Sequence, residues 1–279
     1  MMEGDETAVR LREVSVSFAG RVAVDAVSLD LPRRGVSVFI GRSGSGKTTL
    51  LRALNRLNEE FPGSATTGRV ELDLGQGLES VYPEPGRPAR PLPELRRRVG
   101  MVFQSPNVFP TSIYRNLDLP LSLAAACSRR ERKERVEAAL RDAGLWDEVR
   151  QRLDMPAERL SGGQQQRLCL ARALVLEPDI LLVDEPTAAL DVHAAAGVEA
   201  LLVRLAERLP VVMVSHSLAQ TRRLGHTVLV MNQGRVTHCL DAAHIGGEAE
   251  LSALLGGAAA EQGVRRLGPG GAERVAPAA

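Results

Sequence analysis

Several kinds of residue are scarce in this chain of 279 residues, and each scarcity excludes a class of protein. Aromatic residues make up only 3% of the sequence, so the core must be aliphatic. The three cysteines are far apart and odd in number, which excludes a zinc or redox spacing and indicates reduced thiols in a cytosolic protein. A net charge of +1 gives no electrostatic reason to expect nucleic-acid binding.

Long apolar runs are also missing. No segment approaches the roughly 20 apolar residues that a membrane-spanning helix needs. The N-terminus is acidic and polar, unlike a signal peptide. We therefore expect any membrane role to be peripheral and to depend on a partner.

The apolar residues that are present follow an α/β pattern. Alternating runs at 14–18 and 24–31 predict a small N-terminal antiparallel sheet. The continuous run at 36–40 predicts a buried parallel strand, and leucine spacing predicts a helix over 47–58. Further strands are expected at 99–103, 180–183, 211–215 and 227–231, with helical patterns over 113–176. Such alternation predicts a mostly parallel sheet covered by helices on both faces.

Two stretches interrupt this pattern. Glycine and proline are frequent in 75–93, which predicts a surface excursion. The Ala/Gly-rich stretch 257–279 predicts a disordered tail. One domain at 9–256 is expected, with a core formed by 9–103 and 177–256 and a helical insert at 104–176.

A glycine loop follows the strand predicted at 36–40. It satisfies the phosphate-binding pattern G-x-x-x-x-G-K-[ST] between a strand and a helix. Its glycines let backbone N–H groups turn towards phosphates, and the helix N-terminus adds positive charge. We expect Lys47 to reach the β- and γ-phosphates of ATP, Thr48 to ligate Mg²⁺ and Thr49 to add a hydroxyl. The candidate ATP ligands of the glycine loop are Gly41, Arg42, Ser43, Gly44, Ser45, Gly46, Lys47, Thr48 and Thr49.

Two acids end the strand predicted at 180–183. Asp184 lies at the carboxyl end of that strand, where α/β sheets bind ligands, and fits a magnesium site contacted through water. Glu185 fits a general base that polarises the attacking water. A strand that ends in two acids is equally often a solvated edge, but the glycine loop favours the functional interpretation.

The motifs together resemble those of ATP-binding-cassette (ABC) ATPases. Besides the glycine loop, the family pattern includes Leu-Ser-Gly-Gly-Gln-Gln-Gln-Arg at 160–167, Asp-Glu-Pro-Thr at 184–187, Ala-Leu-Asp at 189–191 and Ser-His at 215–216. These motifs occur in the expected order between about residue 9 and about residue 240. The resemblance implies a P-loop NTPase core of the RecA-like type.

The resemblance also implies a head-to-tail homodimer that holds ATP and Mg²⁺ between two chains. The signature loop would contact the partner's ATP through Leu160, Ser161, Gly162, Gly163 and Gln164. A helix cap is the plain alternative for this loop, and both interpretations can hold together. Asp191 matches the loop that communicates across the dimer interface.

Three further residues acquire roles only through the resemblance. Gln104 matches the glutamine that contacts magnesium and the attacking water, which makes Thr48, Gln104 and Asp184 the candidate metal residues. His216 matches the histidine that contacts the γ-phosphate, so the candidate catalytic residues are Glu185, His216 and Gln104. Phe18 lies where an aromatic ring stacks on adenine, but it is also in phase with the buried face of its strand.

One stretch points to the process that ATP hydrolysis drives. Residues 99–117 resemble phosphate-importer ATPases, as do 54–58 and 160–173. This resemblance implies a subunit on the cytoplasmic face of the inner membrane, docked on permease subunits that a solute-binding protein supplies. Val108 and 119–121 depart from the subfamily pattern, so import of another anion or of an amino acid remains an alternative. A soluble, non-transport ABC ATPase is disfavoured because the chain has neither a long coiled-coil insertion nor a second cassette.

Seven consecutive charged residues occupy 129–135. Such a run either contacts anionic lipid headgroups or forms a solvated helix face. Pairs of opposite charge four residues apart favour the helix face.

Overall fold

The computed structural model describes residues 7–86, 88–124, 127–245, 247–256, 265–267 and 273–275. The strands are β1 (Thr7–Phe18), β2 (Arg21–Pro32), β3 (Val36–Gly41), β4 (Ser64–Asp73), β5 (Leu78–Ser80), β6 (Val99–Val102), β7 (Ile180–Asp184), β8 (Val211–Ser215), β9 (Thr227–Asn232), β10 (Arg235–Asp241), β11 (Arg265–Leu267) and β12 (Glu273–Val275). The helices are α1 (Lys47–Ala53), α2 (Leu92–Arg98), α3 (Ile113–Ala124), α4 (Arg129–Asp142), α5 (Trp146–Val149), α6 (Gly162–Leu174), α7 (Val192–Ala206), α8 (Leu218–Leu224) and α9 (Glu248–Gly256).

These strands form two sheets, as the sequence predicts. The N-terminal sheet is antiparallel, with the strand order β2-β1-β4-β5. The central sheet has the order β12-β11-β10-β9-β3-β8-β7-β6, and its strands β9, β3, β8, β7 and β6 run parallel. The α/β fold with a mostly parallel sheet and a small antiparallel N-terminal sheet is therefore confirmed.

The central strands are buried on both faces, because each face of the sheet is covered. Every residue of β3, β7 and β8 is buried, which explains their continuous apolar sequences. Along β3, Val38 packs with the core under the long helices, whereas Phe39 packs with α1 and the N-terminal sheet. The central sheet therefore lies between two hydrophobic cores.

The parallel register brings the candidate residues to one edge of this sheet. Ile40 of β3 pairs with Ser215 of β8, and Asp184 of β7 pairs with Val214 of β8. The glycine loop follows from β3, Asp184 is the last residue of β7 with Glu185 next to it, and His216 follows β8. The carboxyl ends of these strands thus form a single ligand-binding edge.

The helix predicted over 47–58 is shorter in the structure. It ends at Ala53, Arg56 adopts a left-handed conformation with φ +57°, and a separate 3₁₀ turn spans Leu57–Glu60. Side-chain competition explains the break, since Asn55 Oδ1 accepts a hydrogen bond from Leu57 N and Asn58 Nδ2 donates to Thr49 O. The leucine spacing continues through the turn, which is why the sequence pattern overestimated the helix.

Other local predictions also change. The excursion at 75–93 contains β5 and the start of α2, so part of it is regular. No sequence pattern predicts β10, which pairs antiparallel with β9. The sequence predicts disorder for 257–279, but two triplets of that stretch are strands: β11 pairs with the open edge of β10, where unpaired backbone groups accept a neighbour, and β12 pairs with β11. The other positions of that stretch lie outside the described residues.

Candidate active site

The glycine loop connects the centre of the sheet, β3, to α1. Gly44 and Gly46 have φ angles of +76° and +98°, which side chains other than glycine rarely adopt. A Cβ at Gly46 would lie 2.5 Å from Ala23 O, and one at Gly41 would lie 2.3 Å from Met231 O. The loop can therefore pass between the N-terminal sheet and β9 only because these positions lack side chains.

Lys47 folds back beneath the loop. It is 4% exposed, and its Nζ donates to Gly41 O and Arg42 O, both at 2.9 Å. Burial lowers the pKa of Lys47 below its usual 10.5, while the carboxylates of Glu185 and Asp184 act in the opposite direction. This buried ammonium is suited to exchange the two carbonyl oxygens for phosphate oxygens.

Asp184 and Thr48 meet across the site. Thr48 Oγ1 donates to Asp184 Oδ1 at 3.0 Å, and Asp184 is only 5% exposed. Ser45 Oγ, inside the glycine loop, is buried and has no hydrogen-bond partner in the part of the chain that the structure describes. A hydroxyl, a carboxylate and an unpaired buried hydroxyl around an ammonium are the oxygen ligands and counter-charge that Mg²⁺ with a triphosphate requires. The residues present therefore fit ATP and Mg²⁺.

The composition of this site also fits magnesium better than a metal held by protein alone. Among the described residues, no group of three His, Cys, Asp or Glu side chains could hold a metal ion. Mg²⁺ is commonly bound by one or two carboxylates together with substrate phosphates. Thr48 and Asp184 would thus hold the metal from the protein side, and phosphate oxygens of ATP would supply further ligands.

Glu185 and His216 form a close pair. His216 Nε2 lies 2.5 Å from Glu185 Oε1, with the glutamate side chain 13% exposed and the histidine side chain 44% exposed. Glu185 has a φ of +46°, an uncommon conformation for a residue with a side chain, while its N–H still donates to Val214 O. This conformation directs the backbone of Glu185 away from β7 at the ligand-binding edge of the sheet.

Gln104 and Phe18 are the two remaining candidate residues. Gln104 is exposed two residues after the end of β6, and its side chain makes no hydrogen bond to any residue that the structure describes. Phe18 is partly buried and packs edge-on against Phe61, with ring centroids 6.1 Å apart. Packing of Phe18 on the sheet core is thus observed, and its stacking on adenine remains a prediction.

The signature loop caps α6. Ser161 Oγ accepts from Gln164 N at 3.3 Å, and Gln164 Oε1 accepts from Ser161 N at 3.0 Å, so the two residues form a reciprocal capping box. Ser161 and Gly162 are exposed, whereas Leu160 is buried. Of the described residues, none of 160–164 is hydrogen-bonded to the glycine loop of the same chain.

Asp191 lies beside the signature loop. It is the N-cap of α7, where its Oδ1 accepts from Ala194 N at 2.9 Å, and backbone hydrogen bonds lower its pKa. Gly163 packs so closely on α7 that an added Cβ would lie 2.7 Å from Ala194 Cβ. The signature loop and the predicted dimer-interface loop therefore form one continuous surface.

Arg52 also lies at the site, although no sequence motif points to it. Its Nη2 lies 3.9 Å from Asp184 Oδ2, and its guanidinium lies 5.5 Å from the centroid of Phe61. The available signal was helical spacing, because Arg52 follows Thr48 by four residues and so shares its face of α1.

The charged run at 129–135 lies on α4 and is largely paired. Arg130 bonds to Glu134 at 2.9 Å, Arg132 to Asp118 at 2.9 Å, and Arg135 to Glu177 at 3.3 Å. These pairs support the interpretation as a solvated helix face. Within the described ranges, no helix is both long and apolar enough to cross a membrane.

Known proteins share this combination of fold and motifs. Residues 24–188 match the ABC transporter family. The chain is 48% identical over 218 residues to the phosphate import ATP-binding protein PstB 1 of Nitrosococcus oceani, covering 78% of this chain and 76% of that protein. It is 43% identical over 228 residues to the phosphate import ATP-binding protein PstB of Mycobacterium intracellulare, covering 82% of this chain and 77% of that one.

A solved structure supports the same assignment. A dimeric ATP-binding cassette in a post-hydrolysis state, bound to ADP and Pi, superposes with a TM-score of 0.68 at 30% identity. The match covers 84% of this chain and 98% of that one. The chain therefore belongs to the ABC transporter family, among its ATP-binding-cassette ATPases.

Proposed function

We propose that this chain is the ATP-hydrolysing subunit of an importer that takes up phosphate. The proposal of ATP hydrolysis rests on one observation. Thr48 Oγ1, at the end of the glycine loop, donates a hydrogen bond to Asp184 Oδ1 and so connects the loop to the two acids at the end of β7. The proposal of phosphate is supported by the two relatives, at 48% and 43% identity, that are named phosphate import ATP-binding proteins.

The residues of the site account for each part of the reaction. Mg²⁺ bound with ATP supplies positive charge to the phosphate oxygens. Lys47 would exchange its carbonyl partners for β- and γ-phosphate oxygens, and Thr48 and Asp184 would hold the metal. Glu185 accepts a hydrogen bond from the attacking water and orients it, while His216 meets the charge on the γ-phosphate. Gln104 completes the site from the loop after β6.

The signature loop serves the partner's ATP. Ser161 and Gly162 are exposed at the N-terminus of a helix of 13 residues, where N–H groups and the helix dipole favour an anion. Because this loop is not hydrogen-bonded to the glycine loop of its own chain, a second chain packed head to tail would supply the complementary half. Asp191 would then lie in the interface beside it.

The helical insert at 104–176 is proposed to dock on the permease from the cytoplasmic side. Leu119 and Leu123 are 45% and 80% exposed and lie one turn apart on α3. Phe109, 37% exposed, is tied to the same helix through Asn116, whose Oδ1 accepts from Phe109 N at 2.8 Å. Leu119 and Leu123 therefore offer exposed apolar contacts on α3, with Phe109 held beside the same helix, and such contacts suit a peptide segment of a membrane subunit.

Reconstitution tests this proposal. The full chain is combined with its membrane subunits in vesicles, and ATP hydrolysis is measured with the solute-binding protein loaded with phosphate, with sulfate or with an amino acid. Stimulation by the phosphate-loaded protein is expected; stimulation only by another solute would overturn the phosphate assignment. Leu123→Asp should abolish stimulation but keep basal hydrolysis, whereas Val22→Asp, at a 57% exposed position on β2, should keep both.

A further inference from the structure

A buried glutamine lies behind the Glu185–His216 pair. Gln220, on α8, is only 4% exposed. Its Nε2 donates to Thr187 Oγ1 at 2.7 Å and to Glu199 Oε1 at 3.1 Å, and its Oε1 accepts from Ser215 Oγ at 2.7 Å. Both amide hydrogens and the carbonyl oxygen are thus used, although glutamine is mostly an exposed residue.

Each partner of Gln220 belongs to a different part of the site. Thr187 follows Glu185 by two residues, and Ser215 directly precedes His216. Glu199 lies on α7, the helix that begins after Asp191. One side chain therefore joins the turn after β7, the end of β8 and the helix of the dimer-interface loop.

The network restricts the movement of these three segments. Ser215 Oγ also accepts from Ser217 N at 3.0 Å, and Ser217 Oγ caps α8 by accepting from Gln220 N at 3.2 Å. A buried amide is costly unless it is paired, and a fully paired network fixes the positions of its members. The separation of 2.5 Å between His216 and Glu185 depends on the two loops that this network holds.

We propose that Gln220 is a positioning residue for ATP hydrolysis. It sets the relative placement of Glu185 and His216 through Thr187 and Ser215, and it links this placement to α7 through Glu199. The proposal rests on the catalytic roles proposed above for Glu185 and His216.

The test compares two variants in the full chain. Gln220→Met keeps the length of the side chain and removes its three hydrogen bonds. Because small misplacements of reacting groups cost up to about a hundredfold in rate, we expect kcat to fall on the order of ten- to a hundredfold, with the KM for ATP nearly unchanged. The matched control is Arg223→Gln, which removes the ion pair of Arg223 with Glu199 at 2.8 Å but none of the bonds of Gln220. It should lower the melting temperature without a comparable loss of kcat.

An exchange variant tests the geometry itself. Gln220→Glu alone places two carboxylates side by side, since Glu199 Oε1 is 3.1 Å away, and should be poorly active. Combining it with Glu199→Gln moves the amide to α7 and restores a donor and an acceptor between the two helices. We expect this double variant to recover a large part of the kcat that Gln220→Glu loses.

Several results would overturn the proposal. These are a kcat of Gln220→Met no lower than that of Arg223→Gln, a rise in the KM for ATP at constant kcat, or no recovery in the double variant. If Gln220→Met does not fold, the comparison of Gln220→Glu with the double variant decides. Glu185→Gln is measured in parallel: normal hydrolysis by that variant refutes the proposed catalytic pair, whereas its inactivity beside a normal Gln220→Met refutes only the role of Gln220.

Discussion

His216 Nε2 and Glu185 Oε1 are 2.5 Å apart, so the two groups expected to act on the γ-phosphate and on its attacking water contact each other. Both groups are therefore occupied in this conformation. We expect bound ATP and the attacking water to replace this direct contact, which requires the two side chains to move but not the backbone segments that carry them.

Replacing the glutamate tests its role as general base. Glu185→Gln keeps the shape and a hydrogen bond to His216 but loses the charge that polarises water. We expect steady-state ATP hydrolysis to fall by about 10²–10⁴-fold while ATP binding is retained. Glu207→Gln, at an exposed position after α7, is the matched control and should hydrolyse ATP normally. Normal turnover by Glu185→Gln would exclude this role.

Lys47 should determine ATP affinity. Lys47→Ala removes the buried ammonium that lies 2.9 Å from two loop carbonyls, so the phosphates lose their main cation. Calorimetry should show much weaker ATP binding, with the fold intact by circular dichroism. The other lysine of the chain, Lys133, is exposed on α4, and Lys133→Ala should bind ATP as the unaltered chain does. Equal affinity in both variants would contradict the assignment.

The close approach of the signature loop to α7 predicts a steric effect. Gly163→Ala places a methyl group 2.7 Å from Ala194 Cβ and should lower the free energy of unfolding by about 1–3 kcal/mol. Gly162→Ala is the control, because its Cβ would meet only Leu190 Cδ2 at 3.9 Å. Urea unfolding measures both. Ala194→Gly should restore part of the stability lost by Gly163→Ala, and independent, additive effects would argue against the contact.

Tyr82 predicts a loss of stability in alkali. Burial raises the pKa of Tyr82 to about 12 from its usual 10, and its hydroxyl donates to Ala53 O at the end of α1. The unfolded chain loses this proton at lower pH than the folded chain, so the free energy of unfolding falls between pH 10 and 12. Urea unfolding across this range should show a smaller decrease in Tyr82→Phe. An equal decrease in both proteins would contradict the raised pKa.

The local sequence pattern was sufficient to predict much of the fold and the glycine loop. The β3–loop–α1 unit is specified by consecutive residues, since an apolar run, three glycines and a leucine-spaced helix each act over a few positions. Helix length was not predictable in the same way. Asn55 and Asn58 end α1 by bonding to the backbone, a competition that apolar spacing does not detect.

Contacts between distant segments could not be predicted from the sequence. Gln220 reaches Glu199 and Thr187, which lie 21 and 33 residues away, and its network exists only because β7, β8 and α7 converge. The identity of His216 as a site residue came from resemblance, since a histidine at a strand end is usually structural. Its contact with Glu185 depends on the parallel register of β7 and β8.

The mass of Glu185→Gln with and without ATP, measured by light scattering, tests most directly whether two chains share each nucleotide. The chain should be monomeric without nucleotide and dimeric with ATP, because bound ATP persists and joins one glycine loop to the other chain's signature loop. Adding Ser161→Arg, which places a bulky side chain at the exposed N-cap of α6, should leave ATP binding intact and keep the chain monomeric. A Glu185→Gln chain that binds ATP and stays monomeric, or a double variant that dimerises as readily, would contradict the shared site.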